Sequence, residues 1–253
     1  MDVLIKEEGR FKFVEEGEGE VLILFHGLFG ALSNFKPLFD HFKSEYKVVI
    51  PMLPIYELPV LSSNLNGLVK YVTEFVKHKK YKNLNVVGNS LGGHIAILYS
   101  LENLSLINSV LLTGSSGLFE SAMGSTFPKR GSYEYVKKKT EDTFYDPKIA
   151  SKELIDEVFG IVNDRMKAIR VLKTAKSAIR HNVGNRLSEL NRPVLLIWGK
   201  EDQVTPLFVG EEFHKLLPNS ELVILDHCGH APMMEKPNEF NTILEGFLKK
   251  IYR

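Results

Sequence analysis

Ser90, Asp202 and His230 are the residues whose types and settings fit acyl transfer. Ser90 lies in Gly88-Asn89-Ser90-Leu91-Gly92, the only G-x-S-x-G in the 253-residue chain. The motif follows an apolar run, Leu84 to Val87, and opens an apolar segment with Ile95, Ala96 and Leu98. Strand, turn and helix in that order are the context a nucleophilic serine elbow requires. A serine on so sharp a turn takes strained backbone angles that its surroundings must hold. Side chains two residues to either side would collide, which accounts for Gly88 and Gly92. Gly93 lets the helix pack close to the sheet. The serine then stands at a helix N-terminus, whose dipole favours a developing anion. The plainer alternative is a glycine-rich turn between a strand and a helix.

A serine hydroxyl needs a base, and there are eight histidines to choose from. His230 follows the last apolar run in Asp226-His227-Cys228-Gly229-His230-Ala231-Pro232, so it reaches the sheet edge where parallel strands end. His94 rides down the helix away from Ser90. His41, His78, His181 and His214 sit in helical or connecting segments. An acid must orient the imidazole. Asp202, in Gly199-Lys200-Glu201-Asp202-Gln203-Val204, follows the run Val194 to Trp198. Glu201 is the alternative acid, and Asp226 a third that reads as a turn cap. A tetrahedral intermediate also needs two preorganised N–H donors. One is expected from Leu91, and the other from His26-Gly27-Leu28-Phe29-Gly30, where glycines admit close backbone approach. Leu28 is the first choice and Phe29 the reserve. His26 reads as structural, holding this loop by a hydrogen bond, and Cys228 as a small packing residue.

The elements that must position these residues alternate. Phe11 to Glu15 suits an edge hairpin with the segment before it. Val21 to Phe25 is a strand covered on both faces, and Lys47 to Ile50 is a second. Ser62 or Ser63 is expected to cap a helix whose stripe is Leu65, Leu68, Val69, Val72, Phe75 and Val76. Leu84 to Val87, Ser109 to Leu112, Pro193 to Trp198 and Glu221 to Leu225 read as further strands. Leu91 to Leu101 and Pro237 to Ile251 read as helices. Strands alternating with helices imply parallel pairing. Between Leu118 and Leu190 no strand is evident. Pro147 is expected to start a helix, Glu153 to Val162 to form one, and Met166, Ile169, Leu172, Ala175 and Ile179 to mark another. The reading is one α/β core, residues 1–117 and 191–253, interrupted by a helical insertion, 118–190. Phe29, Phe119, Met123 and Phe127 are pocket candidates.

Composition narrows the function. There are 32 Lys+Arg against 31 Asp+Glu, without the basic excess of a nucleic-acid binder. The runs Lys77 to Lys82 and Lys137 to Lys139 read as solvated surface. A single Cys excludes an internal disulfide and a cysteine-based zinc cage. No apolar run approaches the roughly 20 residues of a membrane span, and the start does not resemble a signal peptide. The expectation is a cytoplasmic protein acting on a small molecule, with no nucleic acid, membrane or metal partner and an open oligomeric state.

The chain resembles the α/β-hydrolase superfamily over essentially its full length. HGLFG (26–30), GNSLGG (88–93), WGKEDQVTP (198–206) and HCGHAPMMEKPNEF (227–240) are similar to its oxyanion, nucleophile, acid and base blocks. The resemblance implies the α/β-hydrolase fold: a mostly parallel eight-stranded sheet, helices on both faces, and 118–190 as a helical cap between the sixth and seventh strands. It implies Ser90, Asp202 and His230 as a triad, Leu28 and Leu91 as oxyanion donors, and no cofactor for ester hydrolysis. Ser90 departs from the aspartate nucleophile of haloalkane dehalogenases and epoxide hydrolases, setting those activities aside. Asn89 and the WGKED block resemble carbon–carbon hydrolases of aromatic ring cleavage. Ala231 stands where those enzymes usually carry Trp, however, and their oxyanion loop is richer in glycine. HGLFG is more similar to small bacterial-type carboxylesterases. The expectation is a serine hydrolase of small, mainly hydrophobic esters, then a carbon–carbon hydrolase, an acyltransferase or a ligand-binding relative.

Overall fold

A computed structural model describes residues 3–30, 32–119 and 129–252. Its centre is one eight-stranded sheet. The strands are β1 (Lys6–Glu8), β2 (Phe11–Glu16), β3 (Val21–Phe25), β4 (Lys47–Pro51), β5 (Leu84–Asn89), β6 (Ile107–Thr113), β7 (Val194–Gly199) and β8 (Ser220–Leu225). Their order across the sheet is β1-β2-β4-β3-β5-β6-β7-β8. The β1–β2 and β2–β4 pairs are antiparallel and all others are parallel. The chain runs outward from β3 to β4, then returns to pair β5 against β3. That reversal opens a crevice at the carboxyl ends of β3 and β5, the place where open α/β sheets bind ligands.

Period-two side chains divide the core into two layers. Val21, Ile23 and Phe25 of β3 pack on one face with α2 (Leu65–Lys79), α3 (Leu91–Glu102) and α7 (Leu207–Leu216). Leu22 and Leu24 pack on the other with α1 (Lys36–Phe42) and α9 (Pro237–Ile251). β6 and β7 alternate likewise, with Val110 and Leu112 on the first face and Leu111 on the second. A strand apolar at every position is thereby satisfied on both sides. α1 and α7 have no counterpart in the sequence reading, nor does the short α8 (Pro232–Glu235).

Between β6 and β7 lie α4 (Tyr133–Glu141), α5 (Lys152–Asn163) and α6 (Arg165–Arg180). Pro147 starts only a 3-10 turn, Pro147–Ile149, and α5 begins after Ser151, whose side chain accepts from the Leu154 N–H. In α6 the expected apolar stripe is largely inverted. Met166, Leu172 and Ile179 are exposed, whereas Ala168, Val171, Thr174, Ala175 and Ala178 face inward. Small residues there let α6 lie close against the core, and the larger apolar side chains are left outside. Met123 and Phe127 fall outside the described residues. No helix among the described residues is long and apolar enough to cross a membrane.

The cap of α2 also differs from expectation. Asn64, not Ser62 or Ser63, is the N-cap, and its Oδ1 accepts from the Gly67 N–H at 2.9 Å. The Ser63 hydroxyl instead donates to the Leu58 and Pro59 carbonyls. Asn64→Ala should therefore cost about 1 kcal/mol and lower Tm by about 2–4 °C. Ser62→Ala should shift Tm by much less. Thermal melts of the two variants check this, and equal shifts would contradict the assignment.

Candidate active site

The site is built where β5 meets α3. Ser90 has φ 57° and ψ −122°, a left-handed conformation that a side-chain-bearing residue adopts only under constraint. Four backbone hydrogen bonds supply it. Ser90 N–H donates to the Thr113 carbonyl at 3.1 Å, and the Ser90 carbonyl accepts from the N–H groups of Gly93, His94 and Ser116. Close approach supplies the rest. A Cβ on Gly88 would lie 2.5 Å from the Gly92 carbonyl oxygen and the Gly93 Cα, and one on Gly92 would overlap the Phe25 carbonyl. Gly93 packs equally tightly against Ser115.

His26–Gly30 runs beside this turn, and a Cβ on Gly27 would come within 3.1 Å of the Ser90 Cβ. Four hydrogen bonds fix the loop. His26 Nδ1 donates to the Gly27 carbonyl at 2.9 Å, while its Nε2 accepts from the Leu53 N–H. The Tyr56 hydroxyl donates to the Leu28 carbonyl at 2.6 Å, and the Gly30 N–H closes a turn on Gly27. His26 thus ties the loop through both ring nitrogens. Among the described residues, neither the Leu28 nor the Leu91 N–H donates to a protein acceptor. Leu91 is the first residue of α3, where such donors are left over by the helix itself.

His230 and Asp202 arrive from the ends of β8 and β7. His230 Nδ1 lies 2.9 Å from Asp202 Oδ2, and both side chains are buried. Asp202 also accepts from the Val204 and Thr205 N–H groups and from the Thr205 hydroxyl. With the Nδ1 proton directed at Asp202, the neutral ring leaves Nε2 as its acceptor. Glu201 is not the partner of His230: its carboxylate accepts from the Cys228 N–H. Asp226 is exposed and paired with Lys200. Asn89 spans the site, donating to the Thr113 and His230 carbonyls at 3.1 Å each. Cys228 is fully buried and burial pushes its thiol pKa up, which suits packing rather than nucleophilic use.

Sequence reasoning missed the supports from farther away. Thr205 is recoverable in hindsight, since an Asp whose carboxylate accepts from backbone two and three residues on is a familiar turn. Glu235 and Thr143 have no such local signal. The His230 N–H donates to the Thr143 carbonyl at 2.9 Å. Glu235 accepts from Gly229 N–H with one oxygen and from Tyr145 N–H with the other, both at 2.8 Å. The segment joining α4 to α5 is therefore hydrogen-bonded to the loop that carries His230. Burial raises the Glu235 pKa against the lowering effect of these N–H donors.

Ser90 and His230 line one cavity of about 270 Å³ with Gly27, Leu28, Phe29, Gly30 and Asn89. Its apolar wall includes Phe144, Leu154, Val158, Val204, Ala231 and Met234, and its polar wall Asn34, Thr140, Thr143 and Gln203. Of the pocket candidates, Phe29 lines this cavity. Phe119 does not: it stacks edge-on against Phe208 and lines a separate cavity with Leu118 and Leu216. Of the run Lys137 to Lys139, Lys137 and Lys138 pair with Glu141 and Asp142, whereas Lys139 reaches the Ser90 cavity. Among the described residues no group of His, Cys, Asp or Glu is arranged to hold a metal ion.

With this geometry in place, the comparisons with known proteins agree. The model of the alpha/beta hydrolase family matches residues 22–243, and the chain belongs to that family. It is a hydrolase with the α/β-hydrolase fold. A crystal structure of an alpha/beta hydrolase enzyme from the sediment metagenome of the Mar Chica lagoon, Morocco, shares 40% identity over 98% of both chains, with a TM-score of 0.81. The uncharacterized hydrolase YugF of Bacillus subtilis is 28% identical, covering 91% of this chain and 90% of its own. A 2-hydroxy-6-oxononadienedioate/2-hydroxy-6-oxononatrienedioate hydrolase of a Pseudomonas species is 26% identical, covering 97% and 99%.

His26 gives a pH test. Burial, the larger effect, lowers its pKa below the ordinary 6.5, and the Gly27 hydrogen bond opposes this. The unfolded chain therefore takes up the proton first as pH falls through 6.5, and the fold loses stability there. Tm should decline from pH 7.5 to 5.5 in the wild type and decline less in His26→Asn. Parallel slopes would show that His26 does not contribute.

Proposed function

We propose that this hydrolase cleaves small, mainly hydrophobic carboxylic esters through an acyl-enzyme on Ser90. The observation that carries the reading is the Asp202–His230 hydrogen bond, which leaves Nε2 as acceptor in the cavity that also holds Ser90. In this reading His230 Nε2 takes the Ser90 hydroxyl proton as the oxygen attacks the ester carbonyl. The Leu28 and Leu91 N–H groups stabilise the oxyanion, and preorganised donors of this kind are each worth about 10²–10³ in rate. His230 returns the proton to the departing alcohol. Water then repeats the sequence on the acyl-enzyme, releasing the acid. Residues 118–190 serve as the cap, contributing Phe144, Leu154 and Val158 to the acyl pocket. No step calls for a cofactor.

A second reading, hydrolysis of a carbon–carbon bond next to a ketone, draws on the named activity of the Pseudomonas relative and on Asn89 beside the serine. Ala231 on the cavity wall weighs against it, since the similar enzymes usually carry Trp there.

Purified wild type and Ser90→Ala are to be assayed on p-nitrophenyl acetate, butyrate and octanoate. Wild type should hydrolyse the short esters, and Ser90→Ala should lose about 10⁴–10⁶-fold in kcat. A cavity of about 270 Å³ should make kcat/KM fall from butyrate to octanoate. An inactive, well-folded wild type that cleaves a vinylogous ring-fission ketone would replace the first reading by the second. Asp202→Asn should cost about 10⁴-fold in kcat, because it unsettles the His230 tautomer. A loss below tenfold would remove Asp202 from the mechanism.

A further inference from the structure

The outer face of α6 is unlike the rest of the surface. Its 16 residues include six cations, Arg165, Lys167, Arg170, Lys173, Lys176 and Arg180, and no acid, in a chain whose charges balance overall. None of the six pairs with a carboxylate among the described residues. The nearest acid in sequence, Asp164, is occupied as the helix N-cap. Arg170 and Lys173 instead donate to the Leu58 and Val60 carbonyls, which ties the loop around Leu61 to this helix. Between the cations stand apolar side chains in water: Met166 is 44% exposed, Leu172 49%, Ile179 41% and Leu61 88%. At 100° per residue, Ile179, Leu172, Arg165, Lys176, Arg180 and Met166 share one arc of the helix, which adjoins the arc of the buried Ala178, Val171, Ala175 and Ala168 on its Ile179 side.

We propose that this face adsorbs to an anionic lipid surface. Cations interleaved with exposed apolar side chains suit the headgroup region, where charge meets lipid phosphate and the apolar groups enter the acyl boundary. A second copy of the chain is a poor occupant, because a two-fold contact would set this cationic face against itself. A nucleic acid would use the cations but leave Leu61 and Leu172 in water. That no helix among the described residues can cross a membrane does not bear on this, since lying on a bilayer and crossing it have different requirements. The inference does not depend on which ester or ketone the active site takes.

The test is flotation of the full chain with phosphatidylcholine vesicles and with vesicles containing about one-third phosphatidylglycerol. Binding should be confined to the anionic vesicles and should weaken as salt screens the attraction. Lys176→Glu with Arg180→Glu should lower the partition coefficient by about tenfold or more. Leu61→Ser with Leu172→Ser should also lower it, at unchanged charge. All four positions are solvent-facing and outside the active site, so Tm and hydrolysis of a soluble substrate should be retained and serve as the folding check. Absence of binding to anionic vesicles would overturn the proposal. So would binding that survives the leucine replacements and is displaced equally well by duplex DNA, which would mark a general polyanion surface.

Discussion

Ser90 is held at φ 57° and ψ −122°, and most of the surrounding architecture is arranged so that it cannot relax. Such a conformation costs on the order of 1–3 kcal/mol. It persists because the serine's N–H is tied to the end of β6 and its carbonyl is shared by α3 and the Ser116 N–H. The same turn brings α3 against the end of β3, leaving no room for a side chain at Gly92. That contact sets the His26–Gly30 loop beside the serine. One backbone constraint thus fixes the separation of the proposed nucleophile from its proposed oxyanion donors.

The second half of the site reaches the same place by topology. Parallel strands end on one edge of the sheet, so residues just beyond β5, β7 and β8 converge although Ser90 lies more than a hundred positions before Asp202 and His230. Asn89 makes the convergence specific. Its amide is bonded to the carbonyls of Thr113 and His230, so the turn carrying Ser90 also anchors the loop carrying His230.

What was legible in the sequence followed from this geometry. Ser90, Asp202 and His230 each stand at or shortly after the end of a strand; β5 and β7, buried on both faces, are plain in a sequence, and the edge strand β8 still carries the apolar run Leu222 to Leu225. The β3 and α9 boundaries were readable for similar reasons. What failed was local competition or distant contact. Ser62, Ser63 and Asn64 are all competent caps, and only the loop geometry decides for Asn64. In α6 the bulky apolar residues suggested the wrong face, because close packing selected Ala and Val instead. Phe119 and Lys139 exchanged their expected places, one away from the cavity and the other into it. Nothing local encodes how an inserted helical segment lies over a sheet.

The hydrogen bonds from His230 and Tyr145 give that inserted segment a further meaning. A covering segment is commonly pictured as a hinged door, moving independently of the machinery below. Here the door is latched to the machinery. Pulling Thr143 away draws on the backbone of His230, and freeing Tyr145 removes one of the donors that hold Glu235, whose other oxygen steadies Gly229. If the segment serves as the proposed cap, displacing it would disturb the backbone that holds the imidazole, as in an interlock that keeps a tool from running while its guard is raised.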